Sequence, residues 1–264
     1  MSTADPSAPN LILLDLDGTL LGDDGEVSER NASAIQRATV AGARVVIATG
    51  RPARLLERLR TQLESSLALC YNGAVVLDLT TWEVLDARFL PGDAFRSAIE
   101  SARGTGIEVV VAAEGLPHVG IRAEPGLRPD ADLPRGTLAE LAGGEIVKGL
   151  VRAAPHMFDR AWEFLTDNYS DVLTVTRSGV EGLIELSGPG VSKGSTIAAL
   201  AETWGIAAED AIAFGDMPND LEMFEWAGRS VAMANADAAV AFAASEQGES
   251  NNADGVAKVL ERWF

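Results

Sequence analysis

The sequence is short of cysteine, of lysine and of long apolar runs, and each shortage closes a route. Its one cysteine, Cys70, has no partner for a disulfide within the chain and suits a reducing compartment. No apolar run approaches the roughly 20 residues that a membrane-spanning helix needs. Met1 to Pro9 is small, polar and proline-rich, without the basic start or apolar segment of a signal peptide. A cytoplasmic protein is therefore expected. Positive charge is scarce: the formal net charge is −18, and Lys148, Lys193 and Lys258 are the only lysines. That balance argues against nucleic acid or an anionic membrane as the main partner, because both attract basic surfaces. A small anionic substrate stays possible where a metal and a few placed cations reverse the field locally.

What is present is a core-forming chain with acidic strand exits. At 264 residues and 47% hydrophobic, the chain can hold one large domain or two smaller ones, each with a real core. Leu11 to Leu14 is a short apolar run that ends in Asp15-Leu16-Asp17-Gly18-Thr19. Such a run reads as a strand buried on both faces of a parallel sheet. Chemistry in open α/β sheets sits just past the carboxyl ends of these strands. Asp15 and Asp17 would point to opposite faces of an extended chain, so serving one site requires a bend after Asp15, which Gly18 permits. Two clustered carboxylates repel each other, and a divalent cation with a taste for hard oxygen ligands, such as Mg²⁺, would relieve them.

Ser28 caps a predicted helix that Gly42 ends. Arg44 to Ala48 is a second buried strand, running into Thr49-Gly50-Arg51-Pro52. Pro52 suits the first turn of a further helix. This β-α-β unit brings the Thr49 hydroxyl and the Gly50 amide to the sheet edge that carries Asp15, where they would seat a phosphate. Leu67 to Cys70 is a third strand ending in Tyr71-Asn72-Gly73. Asn-Gly is a turn signal, so Asn72 reads equally as a site residue or a turn residue. Val75 to Leu79 and Val84 to Leu90 read as a hairpin leading off the sheet.

The pattern changes from about Leu90 to Ser187. Helix at Asp93 to Arg103, strand at Ile107 to Ala113, strand at Glu145 to Arg152, helix at Pro155 to Asn168, and strands at Val172 to Arg177 and Gly182 to Ser187 suggest an α+β insert. The insert has an antiparallel sheet with helices on one side. His118, Arg122 and Arg177 are candidates for leaving-group contact there, though surface roles suit each better. The first pattern resumes at Ser192-Lys193-Gly194, which opens a helix to Trp204. A lysine at a helix start opposes the helix dipole and asks for an anionic partner. Asp210 to Phe214 is a strand whose exit is Gly215-Asp216-Met217-Pro218-Asn219-Asp220. Packed acids after an apolar strand are costly to bury unpaired, so a cation is their natural partner. Short helices at Leu221 to Trp226 and Ala236 to Ala243 and a strand at Arg229 to Ala232 follow. A last helix is expected from Asn251 to Phe264.

In order, Asp-x-Asp-Gly-Thr, Thr-Gly-Arg, Ser-Lys-Gly and Gly-Asp-x-x-Asn-Asp resemble the four motifs of the haloacid dehalogenase superfamily, and Asn251-x-x-Asp254-Gly255-Val256 is similar to the ending of its Cof-type members. The resemblance implies a Rossmann-like α/β parallel-sheet core over 1–82 and 188–264 with an inserted α+β cap of class IIB over 83–187. It further implies that Asp15 attacks phosphorus and Asp17 serves as proton carrier. Thr49, Gly50, Lys193 and Asn219 would bind phosphate, with Arg51 a lesser candidate. The Asp15 carboxylate, the Asp17 main-chain carbonyl and Asp216 would hold Mg²⁺, and Asp220 would hold Lys193 or the metal's waters. The function implied is a Mg²⁺-dependent phosphatase of small phosphomonoesters such as sugar phosphates, its cap closing by a hinge near 80–91 and 187–191. A phosphomutase, or a catalytically silent binding protein on the same fold, are the alternatives.

Overall fold

The computed structural model describes residues 8–63, 65–116, 120–127, 133–178 and 182–264. The chain divides into two compact units, one made of the described residues of Met1–Leu85 together with Ser192–Phe264, the other of Asp86–Val191.

The first unit opens with β1 (Leu11–Leu14), all four residues fully buried. Helix α1 (Glu29–Val40) starts at Ser28, whose side chain accepts from the Asn31 amide. Then come β2 (Arg44–Ala48), β3 (Leu67–Cys70), β4 (Val75–Asp78) and β5 (Val84–Ala87), within which the first unit gives way to the second. Two expectations change here. Val75 to Leu79 and Val84 to Leu90 do not lead off the sheet. The apolar β4 pairs antiparallel with β3 and stays buried, and β5 extends the same sheet. After Pro52 there is no α-helix but two 3₁₀ turns, Ala53–Leu55 and Glu57–Leu59. Burial recurs at Ala53, Leu56 and Leu59, a spacing of three that fits the 3₁₀ period rather than 3.6.

The second unit contains α2 (Gly92–Gly104), β6 (Val109–Gly115), β7 (Ile121–Ala123), α3 (Leu138–Ala142), β8 (Ile146–Ala153), α4 (Phe158–Tyr169), β9 (Thr174–Arg177) and β10 (Leu183–Ser187). The strands form a five-stranded antiparallel sheet in the order β7-β6-β8-β10-β9. Phe95 and Ile99 of α2, Leu138 and Leu141 of α3 and Leu165 of α4 form one core with Val111, Val151, Ile184 and Leu186 of the sheet. A smaller cluster of Ala112, Ala123 and Leu127 lies apart from it. Helix α3 went unpredicted although Thr137 and Glu140 cap it reciprocally, the sequence signature of a helix start.

The chain then returns to the first unit with α5 (Lys193–Trp204), β11 (Ala211–Gly215), α6 (Leu221–Trp226), β12 (Arg229–Ala232), α7 (Ala238–Ala243), β13 (Glu246–Gln247) and α8 (Gly255–Leu260). The last helix is shorter than its sequence suggests, because Asp254 takes a left-handed conformation (φ 56°) between a 3₁₀ turn and α8. The whole sheet runs β13-β12-β11-β1-β2-β3-β4-β5, with β1 flanked by parallel β11 and β2. Leu11 and Leu13 face a core completed by Ile197, Ala201, Met223, Phe224 and Val240 from α5, α6 and α7. Ile12 and Leu14 alternate to the other face, as strand geometry requires. Central placement sets the exits of β1, β2 and β11 side by side. No helix among the described residues is long and apolar enough to cross a membrane.

Candidate active site

Asp15 is the first residue beyond β1, and its amide still donates to Phe214 O in β11 (3.1 Å). The chain then turns sharply: the amides of Leu20 and Leu21 both donate to Leu16 O (3.1 and 2.9 Å). Gly18 makes this turn possible twice over. Its φ is +78°, and a Cβ there would collide with the Asp216 carboxylate. The Thr19 hydroxyl donates to Asp216 Oδ1 (2.9 Å), so the turn after β1 is tied to the exit of β11.

Lys193 begins α5, whose start is fixed by a reciprocal cap between Ser192 and Ser195. Its ammonium is fully buried and donates to Asp15 Oδ1 (2.5 Å) and Asp220 Oδ1 (2.6 Å). Burial works against a charged Lys193, but the two carboxylates outweigh it and hold its pKa above the ordinary lysine value. The other oxygen of Asp220 accepts from the Asp216 and Met217 amides (3.0 Å each). Asp220 thus anchors the lysine and shapes the β11 exit loop together.

Asp15, Asp216 and Asp220 each offer a carboxylate oxygen, and all three lie within 4.8 Å of one another. One ammonium does not neutralise three acids. Burial pushes the Asp15 pKa well up, with Lys193 opposing it. Burial raises Asp216 to about 6 against the pull of the Thr19 hydrogen bond. Buried hard-oxygen donors with surplus negative charge fit a metal ion.

Asp17 and Thr49 complete the neighbourhood. The Asp17 carboxylate is exposed and receives Arg51 in a two-pronged pair, Nε to Oδ2 at 2.8 Å and a terminal nitrogen to Oδ1 at 2.5 Å. Thr49 is buried at the end of β2 and its hydroxyl accepts from the Arg51 amide (3.0 Å). A hydroxyl in that role still has its own hydrogen to donate. Asn219 donates from Nδ2 to Asn72 Oδ1 (3.0 Å), and a Cβ on Gly50 would lie 2.9 Å from the same oxygen.

Asp15, Asp216, Asp220 and Lys193 therefore meet directly, while Asn219 reaches Gly50 through Asn72 and Arg51 ties Asp17 to Thr49. Of the insert candidates, Arg122 is exposed on β7, and Arg177 lies over the Trp162 ring with Asp159 at 3.5 Å. His118 lies outside the described residues. Sequence reasoning gave Thr19 no site role and missed Asn235, which donates to Gly18 O (2.8 Å). Thr19 at least sits inside the first acidic motif; Asn235 carries no sequence signal.

The profile of the haloacid dehalogenase-like hydrolases matches residues 12–124 and 129–260. The chain is 32% identical over 266 residues to the 5-amino-6-(5-phospho-D-ribitylamino)uracil phosphatase YitU of Bacillus subtilis (strain 168), covering 97% of this chain and 98% of that one. Its fold is similar to the crystal structure of a haloacid dehalogenase-like hydrolase from Bacteroides thetaiotaomicron, with TM-score 0.79 and 28% identity, covering 97% and 100% of the two chains. A subclass IIB sugar phosphatase shares the fold at TM-score 0.79 and 20% identity, over 96% and 98% of the chains. Matched across nearly its whole length, the chain belongs to the haloacid dehalogenase-like hydrolases and is a Cof-like phosphatase of that family.

Proposed function

We propose that the protein hydrolyses small phosphomonoesters, sugar and polyol phosphates first among them, in a Mg²⁺-dependent reaction through an aspartyl-phosphate on Asp15. The observation that carries this reading is the Asp15 carboxylate held by Lys193 at 2.5 Å beside Asp216. In the first step an Asp15 oxygen bonds to phosphorus as the ester P–O bond breaks, and Asp17 gives its proton to the departing alkoxide. In the second, water attacks phosphorus, Asp17 takes the water's proton, and the Asp15–phosphorus bond breaks to release phosphate. Lys193, the Thr49 hydroxyl and the Gly50 amide bind the phosphoryl oxygens and stabilise the charge that develops there. Asn219 supports that seat, and Asp220 keeps Lys193 aimed at Asp15. Mg²⁺ held by Asp15, Asp216 and the Asp17 main-chain carbonyl would neutralise phosphoryl charge.

In this reading the second unit is the cap that chooses the leaving group. Three of its described cations, Arg103, Lys148 and Arg177, hold Glu124, Glu185 and Asp159 in turn. The partners are small phosphorylated molecules, and the setting proposed is the cytoplasm. The test is turnover of p-nitrophenyl phosphate and of a panel of phosphorylated sugars, polyols and ribitylaminopyrimidines, with Mg²⁺ or EDTA. Phosphate release that needs Mg²⁺ and Asp15 is expected. Inactivity across the panel, unchanged by Mg²⁺, would refute the reading.

A further inference from the structure

The turn Tyr71–Gly73 carries more strain than a hairpin needs. Three successive residues have positive φ: Tyr71 at 54°, Asn72 at 57° and Gly73 at 97°. Two of them are not glycine, and a buried tyrosine in the left-handed region is an outlier. Strain of this kind persists only where surrounding structure over-determines it, and it gathers at functional sites.

The contacts of the turn say what the strain holds. The Tyr71 amide donates to Arg51 O (3.1 Å) and the Asn72 amide to Thr49 O (3.0 Å), so successive left-handed residues clamp both ends of Thr49-Gly50-Arg51. Gly73 packs against the start of α5. Its carbonyl accepts from the Thr196 hydroxyl (2.9 Å), and a Cβ on it would strike Ser192 O. Asn72 is buried, and its side chain lies over Gly50 and accepts from Asn219 Nδ2 (3.0 Å). One turn therefore touches the β2 exit, the β11 exit loop and the helix that carries Lys193.

We propose that Asn72 is a positioning residue for phosphate binding: its left-handed backbone sets the Thr49–Arg51 loop, and its side-chain oxygen holds Asn219 over Gly50. This rests on the phosphatase reading above. Asparagine suits both demands, because it tolerates the left-handed region better than other side chains do and offers an acceptor there. The action of the side chain on phosphate runs through Asn219.

The experiment compares Asn72→Gly, Asn219→Ala and the double variant, reading kcat and KM for p-nitrophenyl phosphate, the inhibition constant of inorganic phosphate, and thermal midpoint. Glycine keeps the left-handed backbone and removes only the side chain. Asn72→Gly is expected to raise the phosphate inhibition constant and KM about tenfold, the scale of one lost hydrogen bond to a binding group, with kcat changed less. In the Asn219→Ala background the same change is expected to add nothing, since residues that act through one another are non-additive. A role in stability alone would lower the midpoint and leave the inhibition constant alone. An unchanged inhibition constant, or fully additive effects, would overturn the proposal while Asp15-dependent turnover still upheld the phosphatase reading. If Asn72→Gly fails to fold, Asn219→Ala reads the same bond from its other end, and an unchanged constant there overturns the proposal equally.

Discussion

Two lysines are buried in this protein, and they sit in different company. Lys148 is 2% exposed and donates to Glu185 at 2.7 Å, between strands β8 and β10 that are neighbours in one antiparallel sheet. Lys193 is fully buried and joins Asp15, 178 residues away along the chain, to Asp220, with Asp216 beside them. A buried ion pair is weak grounds for function, because desolvation offsets much of its Coulomb energy. What separates the two is the convergence around Lys193 of strand exits and a helix start that nothing in the local sequence requires, bringing three carboxylates within 4.8 Å of one another. The Lys148 pair is read as architecture of its sheet, and the Lys193 cluster as the working site.

Variants can break that contrast. Asp15→Asn should have the largest effect, lowering kcat for p-nitrophenyl phosphate by about 10³-fold or more while the thermal midpoint holds or rises, since a buried acid with a raised pKa is removed. Steady-state kinetics beside a melting curve checks both halves. Lys193→Met should lower kcat by about 10²-fold and cost about 3–5 kcal/mol in denaturant titration, because it strands buried carboxylates. Lys148→Met should cost a similar amount yet leave kcat within about threefold, as expected of a change confined to structure. Equal kinetic losses in the two variants would erase the distinction.

EDTA should stop turnover, and Mg²⁺ at about 100 times its dissociation constant should restore it and stabilise the fold by about 2.7 kcal/mol. The smallest effect is in pH. Asp216 titrates at about 6 in the metal-free fold against an ordinary 3.8. Between those values the folded chain holds a proton that the unfolded chain has released, so this group makes metal-free stability fall as pH rises from about 4 to about 6. Mg²⁺ must displace that proton, so its affinity should climb over the same rise and level off above it. Calorimetric titration at pH 5 and pH 7 tests this, and Asp216→Asn should flatten both trends.

Much of the parallel core was legible because its signals are local. Leu11 to Leu14 and Ala211 to Phe214 are apolar runs that end in acids, and Ser28 and Gly42 punctuate α1 where capping chemistry demands. Elements set by partners were not. The two-residue β13 is polar and exists only through its pairing with β12. The chain after Pro52 follows a burial period of three imposed by its surroundings. The site shows the same divide. Residues that offer charge, such as Asp15, Lys193 and Asp216, stand out in the sequence. Thr19, Asn72 and Asn235 act by holding other site groups, and an Asn-Gly pair reads alike whether it merely turns the chain or clamps a neighbouring loop.

The central claim is that Asp15 itself takes up the phosphoryl group. Acid quenching of the enzyme during turnover, followed by peptide mass analysis, tests it most directly. One added phosphoryl group is expected on the peptide that contains Asp15, absent without Mg²⁺ and absent in Asp15→Asn. Turnover with no such adduct, together with an Asp15→Asn variant as active as the parent, would contradict it.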